Sequence, residues 1–244
     1  MVTLSGVKYA RKLRTRCILS LAVLCAGSPS VASSVSAAPA TAAGSARAVD
    51  SERAVESARV LVLGDSVFNA FDHVDEAAEL MNERQSTIFA TQGCQRLINE
   101  GCMDFAKFSA LQQLRRHAGK FTDVVVVGTG YNDRLGPEFK QAVAAIMKEA
   151  ESQGVEVLWV TYRVAGNVKG KSRVLNAQLR RFDERWENLH LADWDEHSKD
   201  TEGWFREDGV HLITRGAIGL ARLLNSELAP LLERRDAARE VTTP

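Results

Sequence analysis

The sequence predicts a doubly wound α/β domain with a mostly parallel, five-stranded sheet, and three observations support this prediction. Two runs of consecutive apolar residues, Val60–Leu63 and Val124–Val127, are typical of strands that are buried on both faces. Three other short runs have the length and composition of strands. Segments with apolar residues at helical spacing separate the five runs, and such alternation indicates parallel strands connected by helices.

The predicted strands lie between residues 60 and 192. The first ends at Gly64, and the third, Asp123–Gly128, has the strongest signal because four valines stand in a row. The second, fourth and fifth are predicted at Ser86–Ala90, Val155–Thr161 and Leu189–Ala192. Ligands bind beyond the carboxyl ends of parallel strands, so residues just after these ends are candidates for a functional site.

Helices are predicted between the strands from the spacing of apolar residues. In chain order they are marked by Val67–Phe71, Asp75–Glu83, Phe105 to Leu114, Pro137 to Ala150, and Leu175 to Trp186. Thr214 is predicted to cap a last helix, which Pro230 bends or breaks near its end. The polar segment Glu233–Pro244 is predicted to fray as a C-terminal tail.

The N-terminal region has the composition of a targeting signal. Basic residues precede an apolar stretch, Cys17–Ala26, that is too short to span a bilayer comfortably, and small residues follow at Ala37–Ala43. Residues 1–40 are therefore predicted to be a signal peptide, residues 41–57 a linker, and residues 58–232 the folded domain. This organisation predicts a secreted or envelope-associated protein without a transmembrane segment in its mature chain.

The net charge argues against nucleic acid as a partner. The whole chain has 31 basic and 31 acidic residues. Loss of the signal peptide removes five of the basic residues and leaves 26 against 31 acidic ones, a net charge of about −5. A mildly acidic protein lacks the electrostatic attraction to phosphate that nucleic-acid binding requires.

Two cysteines, Cys94 and Cys102, remain after the predicted signal peptide. In an exported protein their close spacing favours a disulfide that closes a short loop and fixes the local backbone. Metal binding is the weaker alternative, because no histidine or second cysteine pair stands at ligand spacing. No metal or cofactor is predicted.

Ser66 is the candidate nucleophile. It follows the first strand directly, at the start of a helical run, where free backbone N–H groups and the helix dipole favour developing negative charge. The alternative is that Asp65 or Ser66 only caps the turn between strand and helix.

His211 and Asp208 are the candidate partners of Ser66. A serine hydroxyl needs a base to take its proton, and an imidazole suits that task near neutral pH. Asp208 precedes His211 by three residues in a glycine-containing turn and can accept a hydrogen bond from the second ring nitrogen. Activity is therefore expected to fall in acid, where the imidazole is protonated.

Three groups are candidate donors to an oxyanion. They are the backbone N–H groups of Ser66 and Gly93 and the side-chain amide of Asn132, all at predicted strand ends. For Asn132 and its neighbour Asp133, an Asx turn after a strand is the alternative reading.

Four segments together resemble the SGNH hydrolases, also called GDSL esterases. Their first, second, third and fifth sequence blocks are matched by Gly64–Ser66, by Gly93, by Gly130–Asp133 and by Asp208–His211. The resemblance covers residues 59–232. It implies a flavodoxin-like, three-layer α/β/α sandwich and ester hydrolysis without a metal. It also implies that Ser66 is the nucleophile, Gly93 and Asn132 are oxyanion donors, and Asp208 and His211 complete the triad.

The substrate expected from these features is an ester of a small acyl group, acetyl in the first place, on a carbohydrate. Export and the absence of a long hydrophobic lid segment favour this substrate, by analogy with other esterases. Candidate substrate-binding residues near the expected site are Tyr131, Tyr162, Arg163 and Trp204, and the alternative for such aromatic residues is a place in the core. Acyl transfer to a sugar hydroxyl and non-catalytic carbohydrate binding are the alternative functions.

Overall fold

The computed structural model describes residues 58–242 and shows a five-stranded, entirely parallel sheet with helices on both faces. The strands are β1 (Ala58–Gly64), β2 (Thr87–Thr91), β3 (Phe121–Gly128), β4 (Glu156–Val160) and β5 (Leu189–Ala192). Their spatial order is β2-β1-β3-β4-β5. The predicted fold class is confirmed. The predicted signal peptide and the linker at 41–57 lie outside the described residues and stay predictions.

Six α-helices connect or flank the strands in the described part of the chain. They are α1 (Asp75–Asn82), α2 (Ala110–Arg116), α3 (Pro137–Ser152), α4 (Lys169–Asp183), α5 (Trp194–Ser198) and α6 (Thr214–Thr242). Three short 3₁₀ helices lie at Phe68–Asp72, Gly166–Val168 and Glu202–Trp204. None of the helices among residues 58–242 is long and apolar enough to cross a membrane.

Two hydrophobic cores, one on each face of the sheet, explain the unbroken apolar runs of β1 and β3. Side chains of a strand alternate between faces, so Val60 and Val62 pack under α1 and α6, whereas Leu61 and Leu63 pack under α2 and α3. All four are fully buried. A strand that is covered on both sides needs apolar residues at every position.

Helix α2 is shorter than the sequence predicted. Phe105 and Phe108 were expected on its apolar stripe, but the helix begins only after Ser109. The Ser109 side chain accepts a hydrogen bond from the Gln112 N–H, and the Gln112 side chain accepts one from the Ser109 N–H. This capping box satisfies the free donors of the helix end and fixes its start.

The C-terminal segment is helical, so the prediction that residues 233–244 fray is wrong for its described part. Helix α6 continues through Pro230 to Thr242. Leu228, Leu231 and Leu232 extend its buried stripe past the proline. Beyond them, Arg235 and Arg239 form ion pairs with the buried carboxylate of Asp123 at the start of β3.

Asp123 is the centre of an ion-pair cluster that ties α6 to the sheet. Its side chain has no solvent exposure, and Arg59 Nε of β1 lies 2.6 Å from its Oδ2. Because removal of Asp123 would leave three arginines without this partner, we expect Asp123→Ala to lower the free energy of unfolding by about 3 kcal/mol or more.

Urea unfolding followed by circular dichroism measures this loss. Asp236→Ala is the matched control, since Asp236 pairs with Arg59 at 2.7 Å but is half exposed. Exposed pairs contribute about 1 kcal/mol or less, so the control should change stability little. Equal effects of the two substitutions would contradict a central role for Asp123.

Candidate active site

The carboxyl ends of β1, β2 and β3 lie side by side and form the base of the site. Gly64 of β1 is in register with Thr91 of β2 and with Gly128 of β3. A Cβ atom at either glycine would collide with the Phe68 side chain. The two glycines thus allow Phe68 to pack across the strand ends, which fixes the short turn that carries Ser66.

The buried side chain of Asp65 stabilises the turn that carries Ser66. Its buried carboxylate accepts hydrogen bonds from Val67 N–H at 3.1 Å and from Gly130 N–H at 3.4 Å. Burial raises the pKa of Asp65 to about 7, although these N–H donors oppose the rise. Asp65 thereby joins the turn after β1 to the turn after β3, which carries Tyr131 and Asn132.

Ser66, His211 and Asp208 form a continuous hydrogen-bonded row. His211 Nε2 lies 2.9 Å from Ser66 Oγ, and His211 Nδ1 lies 2.7 Å from Asp208 Oδ2. The structure therefore brings together residues that are 145 positions apart in the chain. With Nδ1 protonated and bonded to Asp208, Nε2 is free to accept the serine proton.

The Asp208 carboxylate is fixed by its own loop. Its second oxygen, Oδ1, accepts hydrogen bonds from Val210 N–H at 2.8 Å and His211 N–H at 2.9 Å. Partial burial alone would raise the pKa of Asp208, but these two donors and the His211 ring together hold it below its ordinary value. Asp208 is therefore ionised near neutral pH and can stabilise an imidazolium.

The candidate oxyanion donors lie around Ser66. In the described part of the chain, the N–H groups of Ser66 and Gly93 donate to no other residue. Gly93 follows Gln92, whose N–H donates to Gly64 O at 2.9 Å, so its backbone is held beside the end of β1. Asn132 lines a cavity together with Ser66 and His211. One hydrogen of its amide donates to Gln95 O at 3.2 Å, which leaves the other for a ligand.

A disulfide between Cys94 and Cys102 closes the loop after Gly93, with the two Cα atoms 5.3 Å apart. Cys94 has a φ of 64°, a conformation that residues other than glycine seldom adopt. The disulfide and the hydrogen bond from Cys102 N–H to Cys94 O, at 3.2 Å, hold this backbone turn. The loop thereby fixes the backbone next to Gly93.

Two cations that the sequence did not reveal as site residues support Asn132. Arg96 Nε donates to Asn132 O at 3.1 Å, and Lys171 Nζ donates to Tyr131 O at 2.6 Å. Burial lowers the pKa of Lys171, and the nearby carboxylate of Asp133 opposes this change. Arg96 and Lys171 lie 36 and 40 positions from the residues whose carbonyl groups they bind, so no local sequence pattern points to them.

Three of the four residues predicted to bind substrate have other partners in the structure. Tyr162 is buried, its hydroxyl donates to Thr129 O at 2.8 Å, and it lies too deep to reach the site surface. Trp204 stacks on Trp194 with ring centroids 5.9 Å apart and packs against Gly219 of α6. Neither lines the cavities beside Ser66.

Arg163, also predicted to bind substrate, is instead buried under the loop that carries Asp208 and His211. Its Nε donates to Gly209 O at 3.0 Å, and its guanidinium lies 3.8 Å from the centroid of the Phe205 ring. Its backbone N–H donates to the Tyr131 hydroxyl at 2.7 Å. Arg163 therefore holds the loop that carries Asp208 and His211 in place.

Of the four residues predicted to bind substrate, Tyr131 lines a cavity together with Ser66.

Two cavities of different character meet at Ser66 and His211. The smaller, of about 200 Å³, has an apolar lining that includes Val67, Tyr131, Val168 and Val210. The larger, of about 530 Å³, is more polar. Its lining includes Asn69, His73, Arg206 and Thr214. An ester bound at Ser66 can thus place an apolar part on one side and a polar part on the other.

A metal site is not apparent in the described region. Among residues 58–242, no three histidine, cysteine, aspartate or glutamate side chains come together as metal ligands. A serine, an imidazole and a carboxylate in such a row are the side-chain types that nucleophilic catalysis uses.

Solved structures share this fold, although no family model and no curated protein matches the sequence. The catalytic domain of peptidoglycan O-acetyltransferase A from Streptococcus pneumoniae has a TM-score of 0.57 and 17% identity, over 72% of this chain and 96% of that one. A GDSL-like lipase from Bacteroides thetaiotaomicron has a TM-score of 0.53 and 14% identity, over 69% and 86%. The carbohydrate acetylesterase Est24 from Sinorhizobium meliloti has a TM-score of 0.54 and 14% identity, over 71% and 99%.

Proposed function

We propose that this chain, which has the fold of the SGNH hydrolases, is a serine esterase that removes a small acyl group from a carbohydrate. The observation that carries the proposal is the row from Ser66 Oγ through the His211 ring to Asp208 Oδ2, with links of 2.9 and 2.7 Å. Both distances are those of hydrogen bonds that can transfer or orient a proton.

In this mechanism His211 Nε2 takes the hydroxyl proton as Ser66 Oγ attacks the ester carbonyl carbon. The tetrahedral intermediate places its negative charge toward the N–H groups of Ser66 and Gly93 and the amide of Asn132. As the intermediate collapses, the C–O bond to the alcohol breaks and the alcohol oxygen takes the proton from His211. Water, activated by His211, then hydrolyses the acyl-serine and returns the free enzyme.

The two cavities support the assignment of the substrate class. The small apolar cavity suits a short acyl chain such as acetyl, and the larger polar cavity suits an alcohol that carries several hydroxyl groups. The similarity in fold to a carbohydrate acetylesterase is consistent with this substrate class.

Covalent labelling tests the proposal. We expect diisopropyl fluorophosphate to add one diisopropylphosphoryl group to the folded protein, at Ser66, because only an activated serine displaces fluoride from phosphorus at an appreciable rate. Mass spectrometry of the digested protein locates the adduct. The urea-unfolded protein is the control and should remain unlabelled. A folded protein without an adduct, or with its adduct on another serine, contradicts the proposal.

Acyl transfer to a sugar hydroxyl is the second candidate. The His211 and Asp208 side chains are 41% and 42% exposed, so an acceptor alcohol can approach the acyl-serine as water does. One similar fold belongs to an O-acetyltransferase. Product analysis with an added sugar acceptor separates transfer from hydrolysis, because hydrolysis alone yields no newly acetylated sugar.

We also propose that the protein is exported and acts outside the cytoplasm. The composition of residues 1–40 supports this proposal, and so does the disulfide, since disulfides form mainly in oxidising compartments. N-terminal sequencing of the mature protein tests it, and an intact Met1 on the secreted or envelope fraction contradicts cleavage.

A further inference from the structure

An exposed aromatic ring lies beside the candidate oxyanion donor Gly93. The Phe105 side chain is 59% exposed, whereas most phenylalanines of the described chain are buried. Its Cε2 atom lies 3.4 Å from the position that a Cβ would occupy on Gly93. The ring therefore lies beside Gly93, outside the lining of the two cavities at Ser66, and is open to solvent.

The loop that carries Phe105 is held firmly in place. The Gln92 side chain donates to Phe105 O at 3.0 Å and accepts a hydrogen bond from Phe108 N–H at 3.4 Å. The Cys94–Cys102 disulfide lies directly before this loop, and Gly101 N–H donates to Ala106 O at 3.1 Å across its base. A ring that is already held in one position can contact a ligand without the further cost of ordering its loop.

Asn69 lies on the cavity side of the same glycine. Its Nδ2 atom is 3.7 Å from the Cβ position at Gly93, and the residue lines the larger polar cavity with Ser66 and His211. Its Oδ1 atom is buried and accepts no hydrogen bond from another described residue. The amide is thus not committed to the protein and can reorient to pair with a ligand hydroxyl.

We propose that Phe105 and Asn69 form a subsite for the sugar ring that carries the ester, on the side of the leaving alcohol. One face of a pyranose presents mainly C–H groups and packs against an aromatic ring, while its hydroxyl groups require polar partners. Phe105 supplies the ring and Asn69 supplies the amide. The inference deepens the proposed esterase function and rests on it, because it names the residues that recognise the alcohol.

Two acetate esters that differ in the alcohol test the subsite. The substrates are 6-O-acetylglucose and ethyl acetate, and acetate release gives kcat/KM for each. We expect Phe105→Ala to lower kcat/KM for the sugar ester about tenfold, since the apolar sugar face loses its cover. For ethyl acetate, which has no ring to stack, the change should be less than twofold. Asn69→Ala should show the same selectivity.

Met103→Ala is the matched control. Met103 lies on the same loop as Phe105, directly after Cys102, and is 56% exposed, but it is not among the residues nearest to Gly93. Met103→Ala should leave kcat/KM for both esters within about twofold of the value for the unaltered protein. Phe105→Trp, which keeps an aromatic ring, should preserve kcat/KM for the sugar ester. Equal losses on both esters, or no loss on the sugar ester with Phe105→Ala, overturn the subsite alone. If the unaltered protein hydrolyses neither ester, the proposed function and the subsite both fail.

Discussion

We expect Ser66→Ala to lower kcat for p-nitrophenyl acetate by at least about 10⁴-fold. The substitution removes the one oxygen that His211 Nε2 contacts at 2.9 Å, so no acyl-enzyme can form. Residual turnover would come only from water activated by His211 and from the oxyanion donors. The free energy of unfolding should hardly change, because alanine lacks only the hydroxyl of serine and Ser66 is only partly buried.

The measurement compares initial rates of p-nitrophenolate release for the two proteins at the same concentration. Ser152→Ala is the control: Ser152 is an exposed serine at the end of α3, and its hydroxyl donates only to Glu149 O. It should keep its activity within twofold. Comparable activity of Ser66→Ala and the unaltered protein would refute nucleophilic catalysis by Ser66.

The second large effect is expected for Asp208→Asn, with a loss of about 10²- to 10³-fold in kcat. An amide oxygen can still accept the Val210 and His211 N–H groups, but the amide nitrogen would then face His211 Nδ1. The ring must place its proton on Nε2, which can no longer accept the Ser66 proton. Because Asp208 is 42% exposed, water partly replaces its charge, and the loss is smaller than at a fully buried site.

The pH-rate profile in the neutral range, together with kcat, checks this role. Glu207→Gln is the control, since Glu207 is an exposed neighbour that makes no hydrogen bond within residues 58–242. It removes the same charge from the same loop and should keep kcat within about twofold. An equal loss in both variants would mean that only the charge of the loop matters and that the 2.7 Å contact has no special function.

The sequence carried enough information to locate the sheet and the row of Ser66, His211 and Asp208. Strands that are covered on both faces need continuous apolar runs, and these runs stand out in Val60–Leu63 and Val124–Val127. In parallel sheets the functional residues follow the strand ends, so Ser66 and Asn132 could be found by position. Their catalytic roles stay predictions until the variants are measured.

What the sequence could not reveal depends on contacts between distant segments. Arg163 looked like a substrate ligand because it follows β4, but it turns under the loop at Gly209, 46 positions away. Trp204 was expected at the mouth of the site. It packs against α6 instead, because the glycines of that helix leave room for it. The polar composition of residues 233–242 predicted fraying, because its arginines meet the buried Asp123 only in three dimensions.

The placement of the ion-pair cluster around Asp123 has a practical consequence. Arg59 and Asp123 lie near the amino ends of β1 and β3. Helix α6 begins at Thr214, beside the polar cavity, and runs back to this cluster. Both ends of the described chain therefore emerge at the amino edge of the sheet, remote from Ser66. A surface linker joined at either end of residues 58–242 would therefore leave the opposite edge of the sheet, which carries Ser66, open to polymers in solution.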